Sequence, residues 1–149
     1  MTLDVPLPTR RTTTQLARRL AGVLEASDLV LLDGPLGAGK TFLVRALLRA
    51  LGVPFERRVA SPTFGLVHEY ELESGLVVLH ADLYRLAGKP HEVAALGLRE
   101  RRNDGAMLLV EWGNEHGQWL GPAALEVDLR REPVRAAQVR GPKATRLSP

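Results

Sequence analysis

The chain has 149 residues, with 20 Lys and Arg against 17 Asp and Glu, and it contains no cysteine. This length suits one compact domain, and the lack of cysteine excludes disulfides, thiol nucleophiles, thiolate zinc sites and iron–sulfur clusters. No apolar run approaches the ~20 residues of a membrane-spanning helix, and the first residues lack a signal-peptide core, so we expect a cytoplasmic protein without a membrane segment.

The first part of the chain predicts two helices around a buried strand. Leucine and valine recur at helical spacing over residues 12–26. Residues 29–33 are an aliphatic run typical of a strand buried on both faces. After a glycine-rich loop, residues 40–51 again show helical spacing, and Gly52 would end that helix. Residues 53–62 are predicted to be irregular.

The rest of the chain predicts a hairpin, a short helix and three further strands. The extended segments are residues 64–72 and 76–82, which predict the hairpin, then 106–112, 125–129 and 134–139, with a helix at 90–96 and a loop at 113–117. Strands that alternate with helices, followed by hairpin-like pieces, indicate an α/β fold with a mixed sheet. We expect residues 1–140 to form one domain and residues 141–149 to be a flexible tail.

The basic excess of the chain is concentrated in its last twenty residues. Six basic residues face only Glu132, a local charge of +5 (six minus one); they are Arg130, Arg131, Arg135, Arg140, Lys143 and Arg146. Two interpretations stay open, which are contact with RNA or an acidic partner, and a solvated surface.

Residues 34–41, Gly-Pro-Leu-Gly-Ala-Gly-Lys-Thr, match the phosphate-loop pattern G-x-x-x-x-G-K-[ST] in full. Glycines allow backbone conformations that a Cβ forbids, so the N–H groups can point inward around an anion. Lys40 would neutralise the β- and γ-phosphates, and Thr41 would offer a hydroxyl oxygen to Mg²⁺. A plain turn between strand and helix is the alternative.

Two acidic residues each end an apolar run. Asp82 follows LVVLHA and Glu111 follows MLLV, so each would lie at the carboxyl edge of the sheet, where open α/β folds bind ligands. The pattern leaves open which of them contacts the metal and which orients the attacking water. Asp82 could instead pair with Arg85 at the surface. His80 is interpreted as a core or partner-facing histidine rather than a metal ligand.

Ser61-Pro62-Thr63 lies about twenty residues beyond the loop, where other phosphate-loop proteins place a hydroxyl that senses the γ-phosphate. A plain turn before a strand is the alternative. The chain has neither an N-K-x-D guanine reader nor a D-x-x-G switch after the loop. A Ras-like GTPase is therefore disfavoured, and ATP is the expected nucleotide.

Four motifs together resemble one family. The segments GPLGAGKT (34–41), SPTF (61–64), HADLYRL (80–86) and VEW (110–112) are similar, in order and spacing, to those of the bacterial TsaE family, formerly YjeE. The resemblance covers about residues 5–140. It implies a P-loop NTPase-like three-layer fold whose central sheet is mixed and mostly parallel, with late antiparallel strands.

The resemblance also implies a function and a set of site residues. It implies Mg²⁺-dependent ATP hydrolysis, weak in isolation, and assembly with TsaB and TsaD for threonylcarbamoyl transfer to the adenosine beside the anticodon of tRNA. The implied catalytic residues are Lys40, Thr63, Asp82 and Glu111, and the implied metal ligands are Thr41, Asp82 and Glu111. The implied nucleotide-binding residues are Gly34, Leu36, Gly37, Ala38, Gly39, Lys40, Thr41, Phe42, Trp112, Thr13 and Arg135.

Three positions depart from the family pattern. Phe42 stands where a second threonine is common, Pro35 where aspartate is common, and Gly113 where proline is common, which predicts a looser loop after Trp112. Two other functions stay open on the same phosphate loop. One is a small-molecule kinase, and the other is a nucleotide-gated binding module with negligible hydrolysis.

Overall fold

One seven-stranded sheet organises the residues that the computed structural model describes, which are 2–59 and 67–147. The strands are β1 (Thr2–Pro6), β2 (Leu29–Asp33), β3 (Val67–Glu71), β4 (Val77–Asp82), β5 (Met107–Glu111), β6 (Leu125–Arg130) and β7 (Ala136–Arg140). The helices are α1 (Arg10–Val23), α2 (Lys40–Leu51), α3 (Pro90–Ala95), α4 (Leu98–Asn103) and α5 (Gly117–Leu120). Short 3-10 segments lie at Tyr84–Leu86, Asn114–His116 and Pro142–Arg146.

The sheet has a parallel centre and antiparallel edges. Its order is β1-β7-β6-β2-β5-β4-β3. Neighbouring strands from β6 through β2 and β5 to β4 are parallel, whereas β1 and β7 at one edge and β3 at the other run antiparallel to their neighbours. The predicted α/β fold with a mixed sheet is confirmed, as is the pairing of the two hairpin strands.

Strand β2 separates two hydrophobic cores. Val30 and Leu32 belong to the core that contains the buried faces of α1 and α2, whereas Leu29 and Leu31 belong to the core with residues of α3, α4 and α5. Successive side chains of a strand point to opposite faces, so β2 needs apolar residues at every position. Helices therefore cover both faces of the sheet, and the fold has three layers.

Helix α1 begins two residues earlier than its periodicity predicted. Thr9 caps it, because its Oγ1 accepts a hydrogen bond from the Thr12 N–H at 3.2 Å while Thr12 Oγ1 accepts one from the Thr9 N–H at 3.1 Å. This reciprocal pair is a capping box and favours a start at Arg10. Within the described ranges, no helix is long and apolar enough to cross a membrane.

Three elements were absent from the prediction. Strand β1 pairs along its whole length with β7, whose residues are 130 to 138 positions away, so its local sequence carried little signal. Helices α4 and α5 have six and four residues, too few to show a helical period. Strand β7 begins at Ala136 rather than residue 134, and the predicted loop at 113–117 contains a 3-10 turn.

The C-terminal stretch, expected to be flexible, packs against the fold through residue 147. Its 3-10 segment buries Ala144, and Leu147 behind it is only 4% exposed. Lys143 Nζ contacts Asp28 Oδ2 at 2.5 Å, and Arg19 donates a hydrogen bond to the Leu147 carbonyl at 3.0 Å. The expectation of a free tail is corrected for residues 141–147, because apolar burial and a buried ion pair hold them.

We expect Leu147→Ala to lower the free energy of unfolding by about 2–3 kcal/mol, since truncating a buried leucine removes apolar contacts and leaves a cavity. Urea denaturation followed by circular dichroism would measure it. The adjacent exposed residue supplies a control, because Arg146→Ala should change the free energy by no more than about 0.5 kcal/mol. Equally small changes in both variants would show that the stretch does not pack in solution.

Candidate functional site

The loop at residues 34–41 has the backbone of an anion-binding nest. Gly34, Gly37 and Gly39 have φ values of 142°, 79° and 101°, in the region that side chains with a Cβ avoid. A Cβ at Gly34 would lie 2.6 Å from the carbonyl oxygen of Leu129 in β6, so the loop sits directly against that strand. Among the described residues, no side chain caps the start of α2. Its first N–H groups are therefore available to an anion.

Lys40 is buried at the start of α2. Its side chain donates a hydrogen bond to the Gly34 carbonyl, and Nζ lies 3.9 Å from the centre of the Trp112 ring. Burial lowers the pKa of Lys40, and the carboxylates of Glu111, Asp33 and Asp82 oppose this by stabilising the ammonium form. The amine is thus held beside the loop, within the field of three acidic side chains.

The two predicted acidic residues lie next to each other. Asp82 and Glu111 end the parallel strands β4 and β5 and occupy paired register positions. The Leu83 N–H donates to the Glu111 carbonyl at 3.0 Å, which ties the two strand ends together. Both side chains line one cavity of about 380 Å³ with Lys40 and Thr41. The fold therefore brings these four predicted residues to a single site.

His80 is part of this site, although the sequence indicated only a core or partner-facing residue. Its Nε2 lies 2.6 Å from Glu111 Oε2, and the two residues are 1% and 3% exposed. Among the described residues, nothing bonds its Nδ1. His80 precedes Asp82 by two residues, so both point to the same face of β4. Only the register of β4 on β5 could have revealed that His80 reaches Glu111.

Asp82 is partly buried and has a perturbed pKa. Burial raises the pKa of its carboxyl group. The backbone N–H of Tyr84, at 3.0 Å from Oδ1, opposes that rise, while the Glu111 carboxylate adds to it. His80 and Lys40 also oppose the rise in the pKa, but less strongly. Relative to an exposed aspartate, these surroundings therefore shift the Asp82 carboxyl toward its protonated form.

The chain turns sharply after Glu111. Trp112 has φ 60°, an uncommon conformation for a bulky residue, and its ring packs 5.1 Å from that of Tyr84. Gly113 is buried, and a Cβ there would lie 2.7 Å from a methyl group of Val110. Asn114 then donates a hydrogen bond to Asp33 at 3.1 Å. The expected loosening at Gly113 is not observed, because this turn is closely packed.

A second cavity of about 350 Å³ borders the same loop. It is lined by Thr13 and Arg135, the two residues near the chain ends that the family resemblance indicated, and it shares Gly39 and Phe42 with the first cavity. Ala38 also lines it, whereas Leu36 lies on the first cavity and is 69% exposed. Both cavities thus open from one loop. Thr63 lies outside the described residues, and its role stays a prediction.

Comparisons with known proteins agree on one family. A family model described as "Threonylcarbamoyl adenosine biosynthesis protein TsaE" matches residues 7–139. A Rickettsia felis protein is 40% identical over 117 residues, covering 78% of this chain and 66% of its own length. A Streptomyces coelicolor protein is 45% identical over 100 residues, 66% of each chain. Both carry the name "tRNA threonylcarbamoyladenosine biosynthesis protein TsaE".

The structure is also similar to a solved one. It matches the crystal structure of YdiB from Bacillus subtilis with a TM-score of 0.75 and 25% sequence identity, over 99% of this chain and 91% of that chain. The sequence matches to the first relatives, from two Rickettsia species and Haemophilus influenzae, span 60–66% of their lengths, slightly under two thirds.

The raised pKa of Asp82 predicts how stability depends on pH. Between the ordinary Asp pKa and the raised one, the folded state binds more protons than the unfolded state, so Asp82 makes folding less favourable as pH rises through that window. Without metal or nucleotide, Asp82→Asn should therefore be more stable than the unsubstituted protein near neutral pH, with the difference vanishing at low pH.

Urea denaturation in EDTA between about pH 4 and pH 7.5 would measure this difference. Asp104→Asn, at an exposed aspartate of the α4–β5 turn, is the matched control. A stability difference for Asp82→Asn that does not change with pH would contradict the prediction.

Proposed function

This chain belongs to the TsaE family, the threonylcarbamoyl adenosine biosynthesis proteins, and we propose that it is their Mg²⁺-dependent ATP-binding and ATP-hydrolysing subunit. In this proposal the protein supports formation of the threonylcarbamoyl group on the adenosine beside the anticodon of tRNAs, together with TsaB and TsaD. It would not carry out the transfer itself.

One observation carries the ATPase proposal. A phosphate loop, a buried lysine, a hydroxyl and two carboxylates line the same cavity, contributed by Lys40, Thr41, Asp82 and Glu111. Phosphoryl transfer relies on positioning and charge stabilisation more than on covalent chemistry, and these groups supply both. Glycines with left-handed φ turn the loop so that it fits a phosphate chain, as does a helix start that no described side chain caps. Glycine is required at position 34, because a Cβ there would meet the Leu129 carbonyl.

In the proposed site, one residue binds the phosphates and three others bind the metal ion. Lys40 binds the β- and γ-phosphates, exchanging its contact with the Gly34 carbonyl for phosphate oxygens. Thr41 and the carboxylates of Asp82 and Glu111 would hold Mg²⁺, which prefers hard oxygen ligands. Mg²⁺, when bound, supplies positive charge to the phosphate oxygens. Within residues 2–59 and 67–147, no group of three or more His, Asp or Glu could hold a metal ion.

The second cavity is the proposed place of the nucleoside. Thr13 and Arg135 offer a hydroxyl and a guanidinium, and Phe42 offers a ring, next to the phosphate loop. Trp112 lies on the phosphate side, over Lys40. This arrangement supports the resemblance, which placed these four residues near the nucleotide.

Exposed apolar side chains border the site and support a partner-dependent activity. Leu36 is 69% exposed and Tyr84 is 55% exposed, and both line the cavity with Lys40. Apolar surface beside a catalytic cavity favours contact with another protein, which we propose to be TsaB and TsaD.

We expect Lys40→Ala and Glu111→Ala each to lower ATP turnover about 100-fold or more in the presence of TsaB and TsaD, because each removes a group that stabilises charge at the phosphates or the metal. Free phosphate and ADP would be measured without any added acceptor. Lys89→Ala, at an exposed lysine of the same charge, should keep full turnover.

The same assay separates the alternatives. ADP formation that requires an added hydroxyl acceptor would instead indicate a small-molecule kinase. ATP binding without turnover would indicate a nucleotide-gated binding module. Unchanged turnover in both the Lys40 and Glu111 variants would contradict the proposed site.

His80 should act as a positioning residue for Glu111. We expect His80→Leu to lower kcat about 10-fold and to raise the Mg²⁺ concentration needed for half-maximal turnover, because it removes the hydrogen bond that orients the carboxylate. His80→Gln, which keeps a donor, should restore part of both. A loss of stability with an unchanged Mg²⁺ requirement would show that His80 serves packing alone.

A further inference from the structure

The helices α1 and α2 carry only positive charge. Their 14 and 12 residues include no Asp or Glu, but they include Arg10, Arg11, Arg18, Arg19, Lys40, Arg45 and Arg49. Surface helices usually mix the two signs, because acidic and basic residues one turn apart stabilise each other. Arg19 bonds the Leu147 carbonyl and Lys40 belongs to the phosphate loop. Arg11, Arg18 and Arg45 are exposed on the outer surface of this helix pair, Arg10 lines the second cavity, and Arg49 is half-buried and bonds two backbone carbonyls.

A groove runs between the outer faces of these helices. It has a volume of about 450 Å³, and three arginines and two aromatic rings line it, which are Arg18, Arg45, Arg49, Phe42 and Phe55. Small residues, two alanines and a threonine, form the rest of its lining. We call it the α1–α2 groove. The groove thus combines positively charged guanidinium groups with aromatic rings.

Phe55 is held in an exposed position. Its ring is 86% exposed, and the Arg49 guanidinium lies 5.3 Å from the ring centre. Arg49 also donates hydrogen bonds to the carbonyl groups of Val53 and Pro54, which fix the segment that carries the ring. A phenylalanine at this position contributes little to the core. Its ring is instead exposed to solvent, with one face against the Arg49 guanidinium, and is available for stacking.

The C-terminal stretch, residues 130–149, has six basic residues against the three arginines of the groove, but it is less suited to hold a polyanion. Arg140 pairs with Asp128 at 2.6 Å, and the buried Lys143 pairs with Asp28 at 2.5 Å. These ion pairs neutralise two of its six basic residues. The arginines of the α1–α2 groove have no acidic neighbour on their own helices, so their charge is better placed to attract an anion.

We propose that the α1–α2 groove binds single-stranded RNA, with phosphates at Arg18 and Arg45 and a base stacked on Phe55. Proteins that bind single-stranded nucleic acids combine a basic groove with exposed aromatic rings, because the phosphates pair with cations while the bases stack on the rings. An acidic protein segment would satisfy the arginines but would gain little from an exposed ring. This surface goes beyond the proposed ATPase, whose cavity excludes Arg18, Arg45 and Phe55.

The test uses the full chain and a fluorescently labelled, unstructured RNA of about 12 nucleotides, a length within the usual range of single-strand sites. Fluorescence anisotropy would give the Kd at several salt concentrations. We expect Arg18→Glu and Arg45→Glu each to weaken binding about 10-fold at low salt and to lower the slope of log K against log salt by about one. Phe55→Ala should weaken binding about fivefold or more.

Arg146→Glu is the matched control, since it makes the same charge change at an exposed arginine of the C-terminal stretch. Its Kd should stay within about twofold of the value for the unsubstituted protein. ATP turnover should be unchanged in this control and in the three groove variants, and unchanged turnover would show that all four proteins fold.

Three results would overturn the proposal. They are absence of RNA binding by the unsubstituted protein, equal weakening by Arg146→Glu and Arg45→Glu, and an unchanged Kd for Phe55→Ala. Polyglutamate that displaces RNA as well as unlabelled RNA does, at equal charge concentration, would also overturn it and indicate an acidic protein segment instead. Because ATP turnover is measured separately, failure here is distinguishable from failure of the ATPase proposal.

Discussion

Parallel pairing of β2, β5 and β4 brings three carboxylates to one edge of the sheet, and the site depends on how their charge is compensated. Asp33, Glu111 and Asp82 end these strands, and Lys40 is the cation held among them. One amine against three acids leaves negative charge. Burial is the main cause of the raised pKa of Asp82, and the Glu111 carboxylate adds to it. A polyphosphate would add more negative charge. In the proposed function, Mg²⁺ would offset this negative charge as well as bind phosphate oxygens.

Close packing around the site keeps these charges in place. The phosphate loop rests on β6, where Gly34 leaves no room for a Cβ beside Leu129. Trp112 adopts a left-handed backbone, and Gly113 fits against Val110. Strained or tightly packed backbone persists where the surrounding structure supports it. At this edge the supporting strands are β2 and β5, whose side chains fill both cores. The positions of the site residues therefore depend on the packing of the buried centre of the sheet.

The parts of the fold that local sequence determines were predictable. Strand β2 and helix α2 have the predicted bounds, because an aliphatic run, a phosphate loop and a terminating glycine are local signals. Strand β1 depends on distant β7, and the buried contact of Lys143 with Asp28 joins residues 115 positions apart. The motifs indicated the site residues, but the contact of His80 with Glu111 requires the register of β4 on β5, which no local pattern specifies.

Helix α2 links the two surfaces that we propose bind ligands. Its first residue, Lys40, faces the acidic phosphate site, while Arg45 and Arg49 face the basic groove on the other side. Phe42 lies between them and lines the phosphate cavity, the second cavity and the groove. The family resemblance places a threonine there in many relatives, so this chain exchanges a hydroxyl for a ring. A ring cannot supply a hydroxyl contact, but it forms a wall that both cavities and the groove share.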